Sequence, residues 1–501
     1  MGALMRRRGE VAVLLAYLIA AALLTLWHEP WRDEYQALML VRDSGSLSEL
    51  ALNSRYEGHP LGWFAILWAL KPLGHDVRMA QAAHLAIISI AVAIVLWRAP
   101  LPLWQRAAVV FGYFFLYEYA VLFRNYAPSI ALLAAICALL AAGGRWSFLW
   151  AGLLAALLPQ FSAHSAFLLA GVGVAVGWRW TEGHRPVRGA TLAFIVLLIA
   201  ASTAHSYLHM RQPSDAGYFT EWNLSKVRLL RAVAYSWDAF FPIPSPEVAF
   251  WGKNILNGLL GGLDYNLVVV LKTLPAIAVW LFAIAALRGS KHALALFLTV
   301  SVLAIALGTT KYIGHIRHQG FVYMAFLAAL WLRAAWPSPV PALLRNRHLD
   351  QLAAWRRPFI GALLGAQLVG AGVAAWFEAR HDFSAAGRVA QYLRDRGLEQ
   401  RFIVAERDYC TSTVAGELNR PLYYASSGRR STYVRWDTVR KDSIPSDALV
   451  LIYERQRAGE PDALLLSSSE LPDSVLGGLR ELACFGPAIL KDEVFWLYEV
   501  R

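Results

Sequence analysis

The sequence predicts a polytopic α-helical membrane protein with about eleven transmembrane helices, followed by a small α/β domain outside the membrane. Of the 501 residues, 57% are hydrophobic and only 16% are charged, whereas soluble proteins carry roughly 25% charged residues. Apolar runs of about 17 residues or more, long enough to span a bilayer, recur along the first three quarters of the chain. After residue 376 the composition becomes charged, and short apolar runs alternate with helical stretches.

The predicted membrane domain covers residues 1–376. Lys and Arg concentrate in alternate short loops, as the positive-inside rule requires of cytoplasmic loops, and this explains the net charge of +12. No nucleic-acid-binding motif accompanies that charge. The basic start, MGALMRRRGE, is predicted to stay in the cytoplasm, and an odd number of spans then places the domain of residues 377–501 outside. The predicted spans lie near 11–27, 77–97, 106–123, 127–142, 146–159, 164–178, 190–208, 265–287, 292–309, 319–335 and 358–376.

The acidic residues point to the outer face as the functional side. Sixteen Asp and Glu residues precede residue 377, and thirteen of them fall in predicted outer segments. Acidic residues contribute little to topological sorting, so this asymmetry is not a consequence of the rule that placed the spans. We therefore expect the chemistry of the protein at the outer ends of the spans.

The first outer loop contains two candidate elements. Asp33 and Glu34 are adjacent, about six residues past the first span, and on a helix their side chains point about 100° apart. They either begin a short interfacial helix, where negative charge is favourable, or present one carboxylate to a cleft. Further on, the stretch EGHP predicts an ordered turn that presents Glu57 and His59, because Pro60 disfavours helical geometry at the residue before it. Such groups bind a divalent metal or move a proton.

Three further outer turns carry candidate binding residues. Arg124 either extends to lipid headgroups or binds a lipid-linked phosphate, for which a guanidinium is well suited. Tyr126, two residues on, could hydrogen-bond the same phosphate. His164 at the next turn is by itself an ordinary interfacial residue. The stretch TKYIGHIRHQG is basic on the outer side, against the positive-inside trend, which favours anion binding; its candidates are Lys311, Arg317 and His318.

Other chemistries lose their usual sequence support. There is no Walker loop, dinucleotide fingerprint, HExxH, GxSxG or CxxC motif. Cys137 lies within an apolar run, where packing explains it. Cys410 and Cys484 both fall in the predicted outer domain, where they either form a disulfide or remain as two thiols.

The order of these motifs resembles a known family. An acidic pair after the first span (RDEYQAL), a GHP turn before the second (EGHPLGW), an Arg-Asn-Tyr at the third outer turn and a His at the next are similar to GT-C class membrane glycosyltransferases. More narrowly, they resemble the protein O-mannosyltransferase/aminoarabinose-transferase superfamily and its bacterial relatives. The resemblance covers roughly residues 10–335. The family pattern has HPPL where this chain has HPLG, so Leu61 replaces the second proline.

The resemblance implies an inverting transfer of a hexosyl or pentosyl group from a polyprenyl-phosphate donor. The acceptor would be a lipid, a glycan or a protein, and the location would be the outer face of a bacterial inner membrane. By the same resemblance Asp33 is the catalytic carboxylate, as general base or as its organiser, and Glu34 supports it. Glu57 and His59 would line the cleft, and Arg124 and Arg317 would bind the donor phosphate. A divalent metal is compatible with this cleft, but the sequence does not require one.

The alternative hypothesis is a polytopic transporter or lipid flippase. Transporters carry ionisable groups near the middle of their spans and are often built from related halves. Here the polar groups cluster at the outer ends of the spans, and the two halves are not alike. The sequence therefore favours the transferase over the transporter.

Overall fold

The computed structural model describes residues 2–74, 76–217, 222–341 and 344–501, and it is predominantly helical. Its α-helices are α1 (Gly2–Trp27), α2 (Arg32–Asp43), α3 (Leu47–Asn53), α4 (Gly62–Leu70), α5 (Val77–Arg98), α6 (Leu103–Val110), α7 (Tyr126–Ala142), α8 (Arg145–Leu157), α9 (Ala163–Thr181), α10 (Gly189–Met210), α11 (Lys226–Tyr235), α12 (Trp237–Phe240), α13 (Ile255–Leu259), α14 (Tyr265–Leu287), α15 (Lys291–Thr310), α16 (Ile316–Ala335), α17 (Arg347–Ala354), α18 (Arg356–Glu378), α19 (Ala386–Asp395), α20 (Asp408–Leu418), α21 (Ser446–Arg457) and α22 (Asp473–Leu476). The strands are β1 (Ile403–Ala405), β2 (Leu422–Tyr424), β3 (Arg429–Ser431), β4 (Leu464–Ser467), β5 (Leu479–Phe485) and β6 (Phe495–Val500).

The prediction of an integral membrane protein is confirmed in its coarse form. Among the described residues, six helices are long and apolar enough to cross a bilayer: α1, α5, α10, α14, α15 and α18. Four other predicted spans correspond to the single helices α7, α8, α9 and α16. The count of eleven spans and the inside-outside topology remain predictions.

Residues 106–123 do not form the single spanning helix that hydropathy predicted. Helix α6 ends at Val110, a π-helical turn follows at Tyr113–Glu118, and the chain then runs irregularly to the start of α7. Every residue from 112 to 123 is buried. Irregular backbone is tolerated at membrane depth only where protein surrounds it. Hydropathy detects apolar side chains but does not distinguish protein neighbours from lipid, which explains the error.

The first outer loop folds into short helices instead of an extended linker. Helix α2 contains the acidic pair and is largely buried, and α3 follows it. A 3₁₀ turn at Ser54–Glu57 ends at Gly58, whose φ of 63° is the left-handed conformation that suits glycine. The apolar stretch after it forms α4, which packs Trp63, Phe64 and Leu67 inward.

The C-terminal segment contains the predicted α/β fold. Six strands form one sheet in the order β3-β2-β1-β4-β6-β5. Strand β1 is parallel to both β2 and β4, whereas β3, β5 and β6 add antiparallel pairs. Cys410 is buried and Cys484 is exposed, and both are free thiols, so the two cysteines do not form a disulfide.

Candidate active site

Four separate segments meet beside the acidic pair. They are the N-terminal turn of α2, the turn around Gly58, the residues just before α7, and the N-terminal turn of α16. Each segment leads into or out of a helix end, so the polar groups lie where the helical bundle stops. Side chains predicted as site residues from four different stretches of sequence therefore converge on one cleft.

Asp33 is the centre of this cleft and binds two arginines. Its Oδ2 lies 3.2 Å from Arg124 Nη1 and 3.2 Å from Arg317 Nη2. Arg124 Nη1 also donates to the backbone oxygen of Asp33 at 2.5 Å. The Asp33 side chain remains 26% exposed, so a ligand can reach it. Although burial raises its pKa, the guanidinium groups of Arg124 and Arg317 hold the pKa of Asp33 below its usual value. The carboxylate is therefore ionised at neutral pH.

Arg317 has hydrogen-bonding capacity left over. Its guanidinium contacts the rings of both Trp31 and Trp251, 5.4 Å and 5.2 Å from their centroids. Among the described residues its buried Nε and Nη1 have no hydrogen-bond partner. A guanidinium presents donors in a fixed fork that matches phosphate and carboxylate oxygens. A buried cation with two unused donors is a suitable site for an anion.

Trp31 and Trp251 were not predicted as site residues. Trp31 lies within the stretch HEPWRDE, directly before α2, and is almost fully buried. The rings of the two tryptophans meet at 4.9 Å in an edge-to-face arrangement. Trp31 adjoins the acidic pair, which is a sequence signal, whereas nothing in the sequence links Trp251 to Arg317.

Glu57 and His59 line the side of the cleft. Gln36 Nε2 donates to Glu57 Oε1 at 2.7 Å. Burial, with a smaller contribution from Asp33, raises the pKa of Glu57 to about 8. His59 Nε2 lies 3.5 Å from Arg124 Nη2. Burial and the neighbouring Arg124 lower the pKa of His59 to about 3, so its ring is neutral.

Tyr126, His164 and His318 form a second group that adjoins the first. His318 Nδ1 accepts a hydrogen bond from the backbone N–H of His315 at 2.9 Å. In a neutral ring the proton is then on Nε2, which donates to the Tyr126 hydroxyl at 3.0 Å. The Tyr126 hydroxyl keeps its own proton to donate to a ligand. The His164 ring lies against the His318 ring with centroids 4.8 Å apart.

Lys311 lies apart from these two groups. Its Nζ is 5.0 Å from the centroid of the Trp222 ring, and Trp222 is itself largely exposed. Among the described residues, no ion pair joins Lys311 to the Asp33 cluster. Of the three cations predicted in TKYIGHIRHQG, Arg317 contacts Asp33 directly, His318 lies in the adjoining group, and Lys311 contacts neither.

Glu34, predicted as a catalytic residue beside Asp33, points away from the cleft and is fully buried. Its Oε2 accepts from the Trp31 backbone N–H at 3.0 Å and contacts His28 Nε2 at 2.9 Å. Its Oε1 accepts from the Phe123 backbone N–H at 2.6 Å. The other ring nitrogen of His28 contacts Glu378 Oε1 at 2.7 Å. Both oxygens of Glu34 are therefore used in contacts within the protein, and its predicted catalytic role stays a prediction.

His28 joins these two carboxylates as a buried cation. Burial favours the neutral ring, but the carboxylates of Glu34 and Glu378 outweigh it and raise the pKa of His28 to about 10. Phe123, which Glu34 holds, directly precedes Arg124. The group of Glu34, His28 and Glu378 thus fixes the backbone from which Arg124 reaches Asp33.

The C-terminal domain contacts α2, a role that was not predicted from the sequence. The Arg32 guanidinium lies 5.3 Å from the centroid of the Tyr409 ring in that domain. The backbone N–H of Val434 donates to Gln36 Oε1 at 2.8 Å. The remaining contacts are Arg32 Nη1 to Asp492 Oδ2 at 2.7 Å, Tyr35 Oη to Glu417 Oε1 at 2.7 Å and Gln36 Nε2 to Val434 O at 2.7 Å.

The donor set of the cleft suits an anion better than a cation. Asp33 lies between two guanidinium groups, and Glu34 is turned away from it. Within the part of the chain that the structure describes, no group of three or more His, Cys, Asp and Glu side chains is arranged to hold a metal ion.

Comparisons with known proteins give a structural likeness only. No family model matches the sequence, and no curated protein matches it. In overall structure the chain is similar to ArnT. Two of the similar solved structures are ArnT from Cupriavidus metallidurans in the apo state (TM-score 0.48, 13% identity, covering 99% of this chain and 98% of that chain) and bound to undecaprenyl phosphate (TM-score 0.48, 12% identity, covering 97% of each). The function of this chain is therefore inferred from its own site residues.

Proposed function

We propose that the protein is an inverting glycosyltransferase that moves a sugar from a polyprenyl-phosphate donor to an acceptor at the outer face of a bacterial inner membrane. One observation carries the proposal: Asp33 is an ionised, partly exposed carboxylate held between Arg124 and Arg317 at the end of a membrane-helix bundle. In this proposal residues 1–376 form the transferase domain and residues 377–501 form an outer domain. The hexosyl or pentosyl nature of the sugar and the class of acceptor are left open.

Asp33 takes the role of general base in this reaction. The acceptor nucleophile loses a proton as it attacks the anomeric carbon, and a carboxylate within hydrogen-bond reach is suited to accept that proton. A nearby negative charge also stabilises an oxocarbenium-like transition state. Asp33 meets both requirements because it is ionised and reachable from the cleft.

Arg317 and Arg124 take the role of phosphate ligands. The leaving group is a lipid phosphate, which needs cations to stabilise its developing charge and needs no acid to protonate it. Arg317 offers the unused donors Nε and Nη1. The Tyr126 hydroxyl, which keeps its proton for donation, lies in the adjoining group and adds a neutral donor for the phosphate or the sugar.

Phosphate binding also prepares the base. In the free protein the two arginines hold the pKa of Asp33 down, and a carboxylate with a depressed pKa is a weak base. A phosphate that draws both guanidinium groups toward itself weakens their hold on Asp33 and raises its pKa. The carboxylate thus becomes a stronger base when the donor is in place.

The replacement Asp33→Asn tests the proposal. Amide nitrogen and oxygen keep the size of the side chain but cannot accept a proton, so we expect the rate of transfer to fall by about 10²–10⁴-fold. The measurement is transfer from a panel of polyprenyl-phosphate sugars in membranes that contain the full chain. Asp43→Asn is the matched control, because Asp43 ends the same helix and also pairs with an arginine, Arg42.

Two outcomes count against the proposal. If Asp33→Asn keeps the rate of the unmutated protein, Asp33 is not the base. If the unmutated protein transfers no sugar from any donor of the panel while it binds polyprenyl phosphate, the transferase assignment itself is wrong.

A further inference from the structure

A second cavity lies at the opposite end of the bundle from Asp33. Arg317 is the second residue of α16, and Trp336, which lines the second cavity, directly follows the last residue of that helix. A helix of 20 residues is about 30 Å long, so the two sites are separated by the thickness of the hydrocarbon core. The cavity has a volume of about 520 Å³ and lies between the ends of α7, α8, α9 and α16. This end carries the basic loops that are predicted to be cytoplasmic.

Two arginines that form no ion pair with an acidic side chain of the described residues line the cavity. Arg179 lies over the Trp336 ring, 4.5 Å from its centroid, and Arg185 lies 5.9 Å from the centroid of Trp180. Among the described residues, neither guanidinium donates a hydrogen bond or forms an ion pair. Both line the cavity together with His184. The cavity therefore has donors for an anion at its mouth.

The nearby carboxylate forms its ion pairs with other residues. Glu182 is the acidic residue of the same loop, and it pairs with two other groups. Its Oε2 lies 2.9 Å from His292 Nε2, and its Oε1 contacts Lys291. With Glu182 held by α15, the positive charge of Arg179 and Arg185 remains available.

The rest of the wall is apolar. Leu140, Phe148 and Val176 line the cavity, and Trp336 closes one side. Gly143 and Gly144 adjoin open space, because a Cβ at either position would meet nothing within 4 Å. An occupant must therefore combine an anionic group at the loop with an apolar body along the helices.

We propose that this cavity binds an anionic diacyl phospholipid of the adjacent leaflet. The phosphate would accept hydrogen bonds from Arg179 and Arg185, and the acyl chains would lie against Leu140, Phe148 and Val176. Basic pockets between transmembrane helices recognise anionic headgroups in this manner. The site is separate from the transfer reaction and does not depend on the proposed function.

The experiment measures lipid binding to the purified full chain by native mass spectrometry. The probes are phosphatidylglycerol, phosphatidylcholine with the same acyl chains, and glycerol phosphate. Replacing Arg179 and Arg185 together with glutamine should weaken phosphatidylglycerol binding roughly 30-fold, because each cation contributes about a fivefold factor. The control is the pair Arg345→Gln and Arg347→Gln, which removes two exposed cations outside the cavity.

The proposal is supported if only the cavity variant loses phosphatidylglycerol and phosphatidylcholine binds much more weakly. Equal losses in both variants would indicate diffuse attraction to the basic surface and overturn it. Unchanged binding in the cavity variant would overturn it as well. If glycerol phosphate binds as tightly as the lipid, the cavity is a phosphate site without an acyl component, and the lipid assignment is wrong. Arg179 is only half-buried and Arg185 is exposed, so their removal should leave the fold intact.

Discussion

Replacing His28 with glutamine would leave two buried carboxylates without the cation that they share. The His28 ring contacts Glu34 at 2.9 Å and Glu378 at 2.7 Å, and all three side chains are completely buried. Removing one partner of a buried ion pair costs about 3–5 kcal/mol, because the remaining charge stays desolvated. We therefore expect His28→Gln to lower the free energy of unfolding substantially.

The remaining hydrogen bonds set the expected size of this loss. Glu34 keeps two backbone donors, the N–H groups of Trp31 and Phe123. Glu378 keeps the hydroxyl of Tyr117, which donates to its Oε2 at 2.7 Å. Because both carboxylates retain partners, we expect the lower end of the range, about 3 kcal/mol.

The assay is unfolding in mixed detergent micelles with increasing dodecyl sulfate. His348→Gln is the control, since His348 is exposed on α17. The second comparison is the double variant His28→Gln with Glu378→Gln, which removes one charge of each sign. It should lose less stability than the sum of the two single variants, by about 0.5–3 kcal/mol.

The pH dependence gives an independent check on His28. Its raised pKa means that the stabilisation is fully present below the ordinary pKa of 6.5 and is lost as the pH rises through about 10. The stability difference between the unmutated protein and His28→Gln should therefore shrink between pH 7 and pH 10. Two results would refute the assignment of a buried imidazolium. One is a stability loss in the double variant that equals the sum of the losses in His28→Gln and Glu378→Gln. The other is a His28→Gln protein as stable as the His348→Gln control.

Three further predictions concern the cleft and the outer domain. Arg317→Lys should lower kcat/KM for the polyprenyl-phosphate sugar by about 10–100-fold, because lysine cannot reproduce the two free N–H donors of the guanidinium. The control is Arg211→Lys at an exposed position. The raised pKa of Glu57 should make thermal stability fall as the pH rises from its ordinary pKa of 4.5 to about 8, and Glu57→Gln should make that fall smaller. A membrane-impermeant maleimide added to intact cells should label exposed Cys484, and Cys484→Ser should abolish the signal.

Each of these outcomes has a clear contrary result. Equal kcat/KM values for Arg317→Lys and Arg211→Lys would remove Arg317 from the donor site. An unchanged pH profile in Glu57→Gln would show that another group titrates. Labelling of Cys484 only after the membrane is opened would place the C-terminal domain in the cytoplasm and overturn the predicted topology.

Hydropathy was sufficient for most of the membrane domain and failed where protein replaces lipid. Ten predicted spans correspond to single helices. The segment 106–123 is also apolar, yet it breaks into α6 and a π-turn, an irregular backbone that is tolerated because other helices surround it. Composition alone does not reveal which apolar segment is surrounded by other helices.

The site was predicted in part, for a related reason. The sequence indicated Asp33 and the EGHP turn because unusual residues are close together there. The contact of Arg317 with Asp33 joins residues 284 positions apart, and no local pattern reports such a distance. The different roles of Asp33 and Glu34 follow from helix geometry, but which of them faces the cleft depends on Phe123 and His28, which only the fold brings near.

Helix α2 also constrains how this chain can change in length. Arg32 and Gln36 bind the C-terminal domain, Asp33 faces the two arginines, and Glu34 is inserted into the bundle. Deleting or inserting one residue within the first turn of α2 would rotate the side chains on one side of the change by about 100° relative to those on the other. The carboxylate of the cleft, the buried anchor and the contact with the outer domain would all be lost together. The first turn of α2 therefore acts as a register constraint, and its length should tolerate no change.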